Sequence, residues 1–192
     1  MMNHSLILII IMLLSYGLGS ITGAYYIVKM LTGKDIRVVG SGNVGATNAG
    51  RVSGKKGFLL TLLIDAGKVI LALSFTSIVM KGEAYLILSS IFVLVGHLFP
   101  FQLGFHGGKG IVAYLASALF LCPLSIVVFA IVMGGVYIII RKYTLSGFLS
   151  MGTIPIAAYV IEGSFTLSAG LVALFVIVVV FHNRSFHHSV ET

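Results

Sequence analysis

Residues 40–56, GSGNVGATNAGRVSGKK, combine the residue types that hold an anion. Glycine frees the backbone to turn and to approach a ligand closely. Asn43, Thr47 and Asn48 add neutral donors, and Arg51, Lys55 and Lys56 add fixed positive charge. Backbone N–H groups in such a loop, with cations behind them, form an anion nest. A carboxylate or a phosphate would fit, and the density of positive charge suits phosphate better. The opposing reading is a flexible basic connector between two membrane helices.

A second glycine loop strengthens the first reading. His97-Leu98-Phe99-Pro100 leads into Phe105-His106-Gly107-Gly108-Lys109-Gly110, which pairs pliable backbone with a lysine at the start of a helix. The positive end of a helix dipole there favours another anion. Lys109 either serves that anion or snorkels to the interface. A third segment offers the Thr144 and Ser146 hydroxyls beside Arg141 and Lys142. Two facing anion sites suggest a reaction between two phosphorylated molecules, or one polyanion.

Asp65 lies in an apolar run, where an ionisable residue is a functional candidate. Lys68 follows three residues later, so a structural ion pair on one helix face is the competing role. His182, His187 and His188 resemble a metal tract, although a solvated tail accounts for them. The lone Cys122 has no companion for a disulfide or a metal site. Neither a G-x-S-x-G elbow nor an H-E-x-x-H helix occurs, which argues against a catalytic triad or a metal hydrolase. No metal and no cofactor is expected. An enzyme of this kind would position reactants and stabilise anionic charge.

The elements that must hold these loops are membrane helices. Hydrophobic residues make up 58% of the 192 residues and charged residues only 9%, against roughly 25% charged in soluble domains. The chain is therefore expected to be an all-α, polytopic membrane protein, one domain over residues 1–192. Spans are expected over about 5–30, 57–80, 84–103, 145–161 and 165–182, with 31–56 a loop. Gly17, Gly19 and Gly23 would let neighbouring helices approach the first span closely. Residues 111–140 are too long for one span, and Cys122-Pro123 offers a break. With the N-terminus outside and two crossings in 111–140, only Lys81 of the 12 lysines and arginines falls outside. That is the positive-inside pattern, with seven spans, the fourth short, and a cytoplasmic C-terminus. No lysine or arginine precedes Lys29, so a cleaved signal peptide is not expected. Basic residues confined to short loops argue against nucleic acid as a partner.

The stretches GSITGAYYIVKMLTGKDIRVVGSGNVGATNAGR, GKKG, the Asp65/Lys68 pair and GHLFPFQLGFHGGKGIVA together resemble the bacterial PlsY-type acyl-phosphate:glycerol-3-phosphate acyltransferases. The resemblance covers nearly the whole chain. It implies seven helices in the bacterial inner membrane with the active site on the cytoplasmic face. It also implies transfer of a fatty acyl group from acyl phosphate to the 1-hydroxyl of glycerol-3-phosphate, giving lysophosphatidic acid and phosphate. Partners would be the two substrates, the bilayer and the soluble enzyme that supplies acyl phosphate. Ser41, Gly42, Asn43, Thr47, Asn48, Arg51, Gly107, Gly108 and Lys109 would bind substrate phosphate, with Lys55, His106, Thr144, Ser146 and His182 completing the substrate site. The chain departs from the family at His106, Tyr114 and the KYTLSG segment, and Ser185 stands where the family tail has asparagine. Two routes remain for the hydroxyl proton. His97 has the ordinary histidine pKa of about 6.5 that suits a base, and the alternative acceptor is a phosphate oxygen of the donor. The substrate-assisted route is favoured. A carrier for phosphorylated solutes and a non-catalytic scaffold are the competing functions.

Overall fold

The computed structural model describes residues 3–187, with side chains through His182. Every element in it is helical. The α-helices are α1 (His4–Ser20), α2 (Gly23–Thr32), α3 (Ala46–Val79), α4 (Glu83–Leu98), α5 (Ile111–Leu121), α6 (Pro123–Ile140), α7 (Tyr143–Met151), α8 (Thr153–Glu162) and α9 (Phe165–His187). Short 3₁₀ turns sit at Ile36–Val38 and Phe101–Leu103. Helix is the only open structure that satisfies its own backbone in lipid, which is why the apolar runs take it.

Grouped by length and composition, the described residues provide six runs able to cross a membrane: His4–Thr32, Ala46–Val79, Glu83–Leu103, Pro123–Ile140, Tyr143–Glu162 and Phe165–His182. Ile111–Leu121 is a shorter apolar helix, fourth in order. At 1.5 Å per residue its length is about 16 Å, half of a bilayer core of about 30 Å. The expected break lies where Cys122 leaves helical geometry and Pro123 opens α6, a position where the missing proline N–H costs nothing. Only Ser125 of α6 is fully buried; Ile126 and Phe129 are half-buried against the core, while Ile131, Ile138 and Ile139 are exposed on its other side.

Two expectations need correction. Residues 31–56 are not one loop, because α3 begins at Ala46 and carries Thr47, Asn48, Arg51 and Lys55 on its first turns. The glycines that argued for a loop act otherwise. Gly54 takes φ +71° and Ser53 is non-helical as well, so α3 is two helices that meet at a kink there. The first span is broken as well, at the extended residues Ile21 and Thr22 between α1 and α2.

Close backbone approach fixes how α1 lies on α4. A methyl group on Gly19 would fall inside contact distance of the Val93 carbonyl, and one on Gly96 inside that of the Tyr16 carbonyl. The Ser15 and Ser89 hydroxyls bond across the same seam at 2.8 Å. Gly23 is equally enclosed, by Ile64 and the Thr61 carbonyl at 3.0 Å, but Gly17 has open space around it and takes no part. One core holds Leu73, Leu94, Tyr114, Leu171 and Leu174 among α3, α4, α5 and α9. A smaller one, with Val28, Ile36, Val44, Ala49 and Leu103, lies beneath the first loop.

Adding a methyl at the α1–α4 seam should therefore push two backbones apart. Gly96→Ala is expected to cost about 1–3 kcal/mol, seen as a lower melting temperature in detergent. Gly17→Ala should be neutral or gain a few tenths of a kcal/mol from helix propensity. Equal melting of the two variants would contradict this packing.

Candidate functional site

The first loop is shaped by its own polar groups. Asp35 caps the Ile36–Val38 turn, accepting from the Arg37 N–H at 2.9 Å, and pairs with the Arg37 guanidinium at 2.6 Å. The Arg37 hydrogen bonds hold the Asp35 carboxyl below the usual carboxylate range. Arg37 also donates to the Leu103 carbonyl at 3.2 Å, tying the first loop to the second. Gly40 and Gly42 take the left-handed conformation at φ +64° and +70°.

Asn48, expected to touch substrate, is instead the hub of this loop. Its Oδ1 accepts from the Ser41 N–H at 2.9 Å, and its Nδ2 donates to the Val39 and Asn43 carbonyls at 3.0 and 3.1 Å. It is 1% exposed. A side chain on Gly40 would displace the Asn48 amide, so the pair of residues is mutually required. The Ser41, Gly42 and Gly45 N–H groups have partners within the loop. Backbone N–H groups without a partner in the loop are therefore to be sought at the start of α3. Gly45 precedes that helix without a side-chain cap, and the first N–H groups of a helix have no helical partner. Ser41, Thr47 and Arg51 are exposed around it and Asn43 is half-buried.

The second loop folds back on the end of α4. Gly107 and Gly108 donate their N–H groups to the Leu98 and His97 carbonyls, both at 3.1 Å. They are thus not available to form a nest. A methyl group on Gly107 would strike the His97 and Leu98 carbonyls, and one on Gly108 would strike the His97 ring. Close approach of the two backbones requires glycine at both positions. Gly110, at φ +81°, then opens α5. His106 is exposed and turns back to the Gly104 carbonyl at 2.6 Å.

Lys109 follows Gly108 and lies near the charge of Arg51 on α3. Its ammonium is half-buried, and burial together with the neighbouring charge of Arg51 holds its pKa below the ordinary lysine range. Lys109 also lies within electrostatic reach of His182 on α9. The His182 ring stands edge-on to Phe148 of α7, 4.7 Å between centroids. The Ser146 hydroxyl and His182 Nδ1 are buried without hydrogen-bond partners. Thr144 is exposed near the start of α7. Lys55 lies past the α3 kink, at an apolar hollow lined by Gly50, Phe58 and Leu59. Tyr114 is buried and donates to the Met151 carbonyl at 3.2 Å. The question of Ser185, and of the histidines at 187 and 188, falls outside the described side chains.

His97 is 3% exposed and does not offer a basic nitrogen to this space. Its Nδ1 lies 2.9 Å from Lys68 Nζ, which also donates to the Gly19 and Ile21 carbonyls at 2.9 and 2.7 Å and to Asp65 at 3.0 Å. Asp65 Oδ1 in turn accepts from the Gly23 N–H at 3.1 Å. The sequence indicated the Asp65–Lys68 pair but not its attachment to a helix break 42 to 49 residues earlier. Gln102 was missed entirely. It donates to the Ser20 carbonyl at the same break, and no local pattern marks it.

Comparison with known proteins gives the family and the fold. The family model described as glycerol-3-phosphate acyltransferase matches residues 9–191. Glycerol-3-phosphate acyltransferase 1 of Desulfitobacterium hafniense is 40% identical over 89% of this chain and 85% of its own. The Agrobacterium fabrum glycerol-3-phosphate acyltransferase is 40% identical over 78% of this chain and 72% of its own. Among solved structures, PlsY (YgiH), an integral membrane glycerol 3-phosphate acyltransferase in its glycerol 3-phosphate form, superposes with a TM-score of 0.83 at 25% identity. That match covers 96% of this chain and 92% of the other. Sequence and fold together make this chain a member of the glycerol-3-phosphate acyltransferase family, an integral membrane acyltransferase.

Proposed function

We propose that this chain transfers a fatty acyl group from an acyl phosphate to the 1-hydroxyl of glycerol-3-phosphate, giving lysophosphatidic acid and inorganic phosphate. The reading is supported above all by Lys109 lying within electrostatic reach of both Arg51 and His182. Two phosphates need two cationic holds, and the half-buried position of Lys109 makes its contact worth more than it would be in water. Arg51 and Lys109 bear the phosphates, with Ser41, Gly42, Asn43 and Thr47 around the start of α3. Thr144, Ser146 and His182 form the opposite wall, and Lys55 and His106 stand at the rim. Asn48, Gly107 and Gly108 shape the site without taking part in binding. The hollow beside Lys55 gives the acyl chain a seat open to lipid.

An acyl phosphate is already activated, so positioning suffices for its reaction. The 1-hydroxyl oxygen attacks the acyl carbon, the bond from that carbon to the phosphate oxygen breaks, and the hydroxyl proton passes to the departing phosphate. Ester and hydrogen phosphate result, with no proton left over. His97 is poorly placed to act as the base, since Lys68 faces its Nδ1. This supports the substrate-assisted route.

Loss of one charge-assisted phosphate contact should cost about 2–4 kcal/mol, roughly 30- to 1000-fold in rate. Lys109→Ala is expected to lose that much kcat/KM, while Lys81→Ala, on an exposed turn bonded to Ser77, should change little. Full activity of a folded Lys109→Ala variant would remove Lys109 from the site. The pH dependence follows from the same group. A lowered lysine pKa means that the ammonium is lost as pH rises through a value below the ordinary lysine range. The alkaline limb of kcat/KM should then fall early, and Lys109→Arg should move it upward. An identical limb in Lys109→Arg would assign it elsewhere.

The site is proposed to face the cytoplasm across the bacterial inner membrane, with the N-terminus outside and the C-terminus inside. The soluble enzyme that makes acyl phosphate would meet that face. In a Cys122→Ser background, Val52→Cys and Gly163→Cys should label from opposite sides of sealed vesicles. Labelling from one side would contradict the seven-span topology.

A further inference from the structure

We infer that Asp65, Lys68 and His97 form a buried strut that positions the Gly107–Gly108–Lys109 loop for the reaction, with His97 a positioning residue and not a base. The inference deepens the acyl-transfer reading of this site and rests on it.

Proton counting gives the strut its direction. The Lys68 ammonium has three N–H groups and four acceptors within 3.0 Å: the Gly19 and Ile21 carbonyls, Asp65 and His97 Nδ1. The Gly19 and Ile21 carbonyls and the Asp65 carboxylate surround the Lys68 nitrogen with oxygen acceptors, a cage that suits an ammonium and leaves no acceptor for an Nδ1–H facing it. The proton therefore stays on Lys68, and Nδ1 presents its lone pair to the ammonium. The neutral ring then carries its proton on Nε2, so its one lone pair is engaged and it has none for a substrate hydroxyl.

The Nε2 edge faces Gly108. A methyl group on Gly108 would overlap Nε2 and would come within 2.6 Å of the Val44 carbonyl. The Gly108 N–H is bonded at the same time to the His97 carbonyl. Backbone and ring of one residue thus clasp Gly108, with the first loop closing its other side. Lys109 is the next residue. The path from the broken first span to Lys109 runs Gly19 and Ile21, Lys68, His97, Gly108, and every residue on it except the exposed Ile21 is buried or half-buried. None of these groups needs to touch substrate for a shift in the ring to move Lys109.

Three variants in detergent test the strut: His97→Ala, His97→Gln, and Asp65→Asn/Lys68→Met, which neutralises the pair together and leaves no lone buried charge. Steady-state kcat and KM for glycerol-3-phosphate are measured beside melting temperature and hydrogen exchange at the Gly107 and Gly108 amides. The double variant leaves the Gly19 and Ile21 carbonyls without this donor, so it is expected to melt below wild type, to exchange faster at both amides and to lose about 10- to 100-fold in kcat, the scale of a small misplacement. His97→Ala should behave likewise. His97→Gln can accept from Lys68 and donate towards Gly108, so it should recover most of the rate with an unchanged pH profile. A double variant that keeps wild-type kcat and exchange would overturn the strut. So would a folded His97→Gln slowed about 10²–10⁴-fold with its limb near pH 6.5 gone, the mark of a lost base. If the double variant fails to fold, the two His97 variants decide alone. If wild type gives no product from acyl phosphate, the functional reading fails instead, and hydrogen exchange still decides the strut.

Discussion

A helix that breaks inside a bilayer exposes carbonyl and N–H groups where no water can satisfy them, at several kcal/mol for each one left bare. Here the break between α1 and α2 is met from three directions. Lys68 takes the Gly19 and Ile21 carbonyls, Asp65 takes the Gly23 N–H, and Gln102 takes the Ser20 carbonyl. The ammonium acts as a tethered cation in a cage of main-chain oxygens. Removing Asp65 alone would strand that charge and removing Lys68 alone would strand the carboxylate, so neither half is dispensable singly. Because α3, α4 and the second loop all contribute to the repair, the break fixes their relative height in the membrane.

The substrate-facing side follows from that alignment. The α1–α4 seam admits no side chain at Gly19 or Gly96, and Tyr16 on the same helix bonds the Phe99 carbonyl at 2.8 Å where α4 ends. The second loop then lies against α4 through Gly107 and Gly108, while Arg37 draws the first loop towards it through Leu103. Lys109 is placed near the charge of Arg51 by the backbone geometry of the second loop.

Much of this was legible in the sequence, because hydropathy is read at the scale of whole spans. The break at Cys122-Pro123 and the short fourth helix follow from proline chemistry and length alone. The start of α3 was not legible. Gly45, Gly50 and Gly54 look like loop residues, yet Gly54 makes a kink and Gly50 lets the Phe58 side chain approach within 3.1 Å of where its Cβ would stand. Residue types pointed to the two glycine loops as the site, and the structure brings Arg51, Lys109 and His182 together. The kind of work each residue does was harder to see. Asn48 and the Gly107–Gly108 pair read as phosphate ligands because donors and glycines commonly are, but their hydrogen bonds are directed inward. Lys68 and His97 are 29 residues apart, and only tertiary packing shows that one occupies the other's lone pair.

The most direct test of the account is an assay of the purified protein in detergent with glycerol-3-phosphate and either acyl phosphate or acyl-CoA. The account predicts lysophosphatidic acid and inorganic phosphate in equal amounts from acyl phosphate, without a sealed compartment, and little product from the thioester, which lacks the phosphate that the cations hold. Equal turnover of acyl-CoA, or movement of phosphorylated solutes in vesicles without any acylation in detergent, would contradict it.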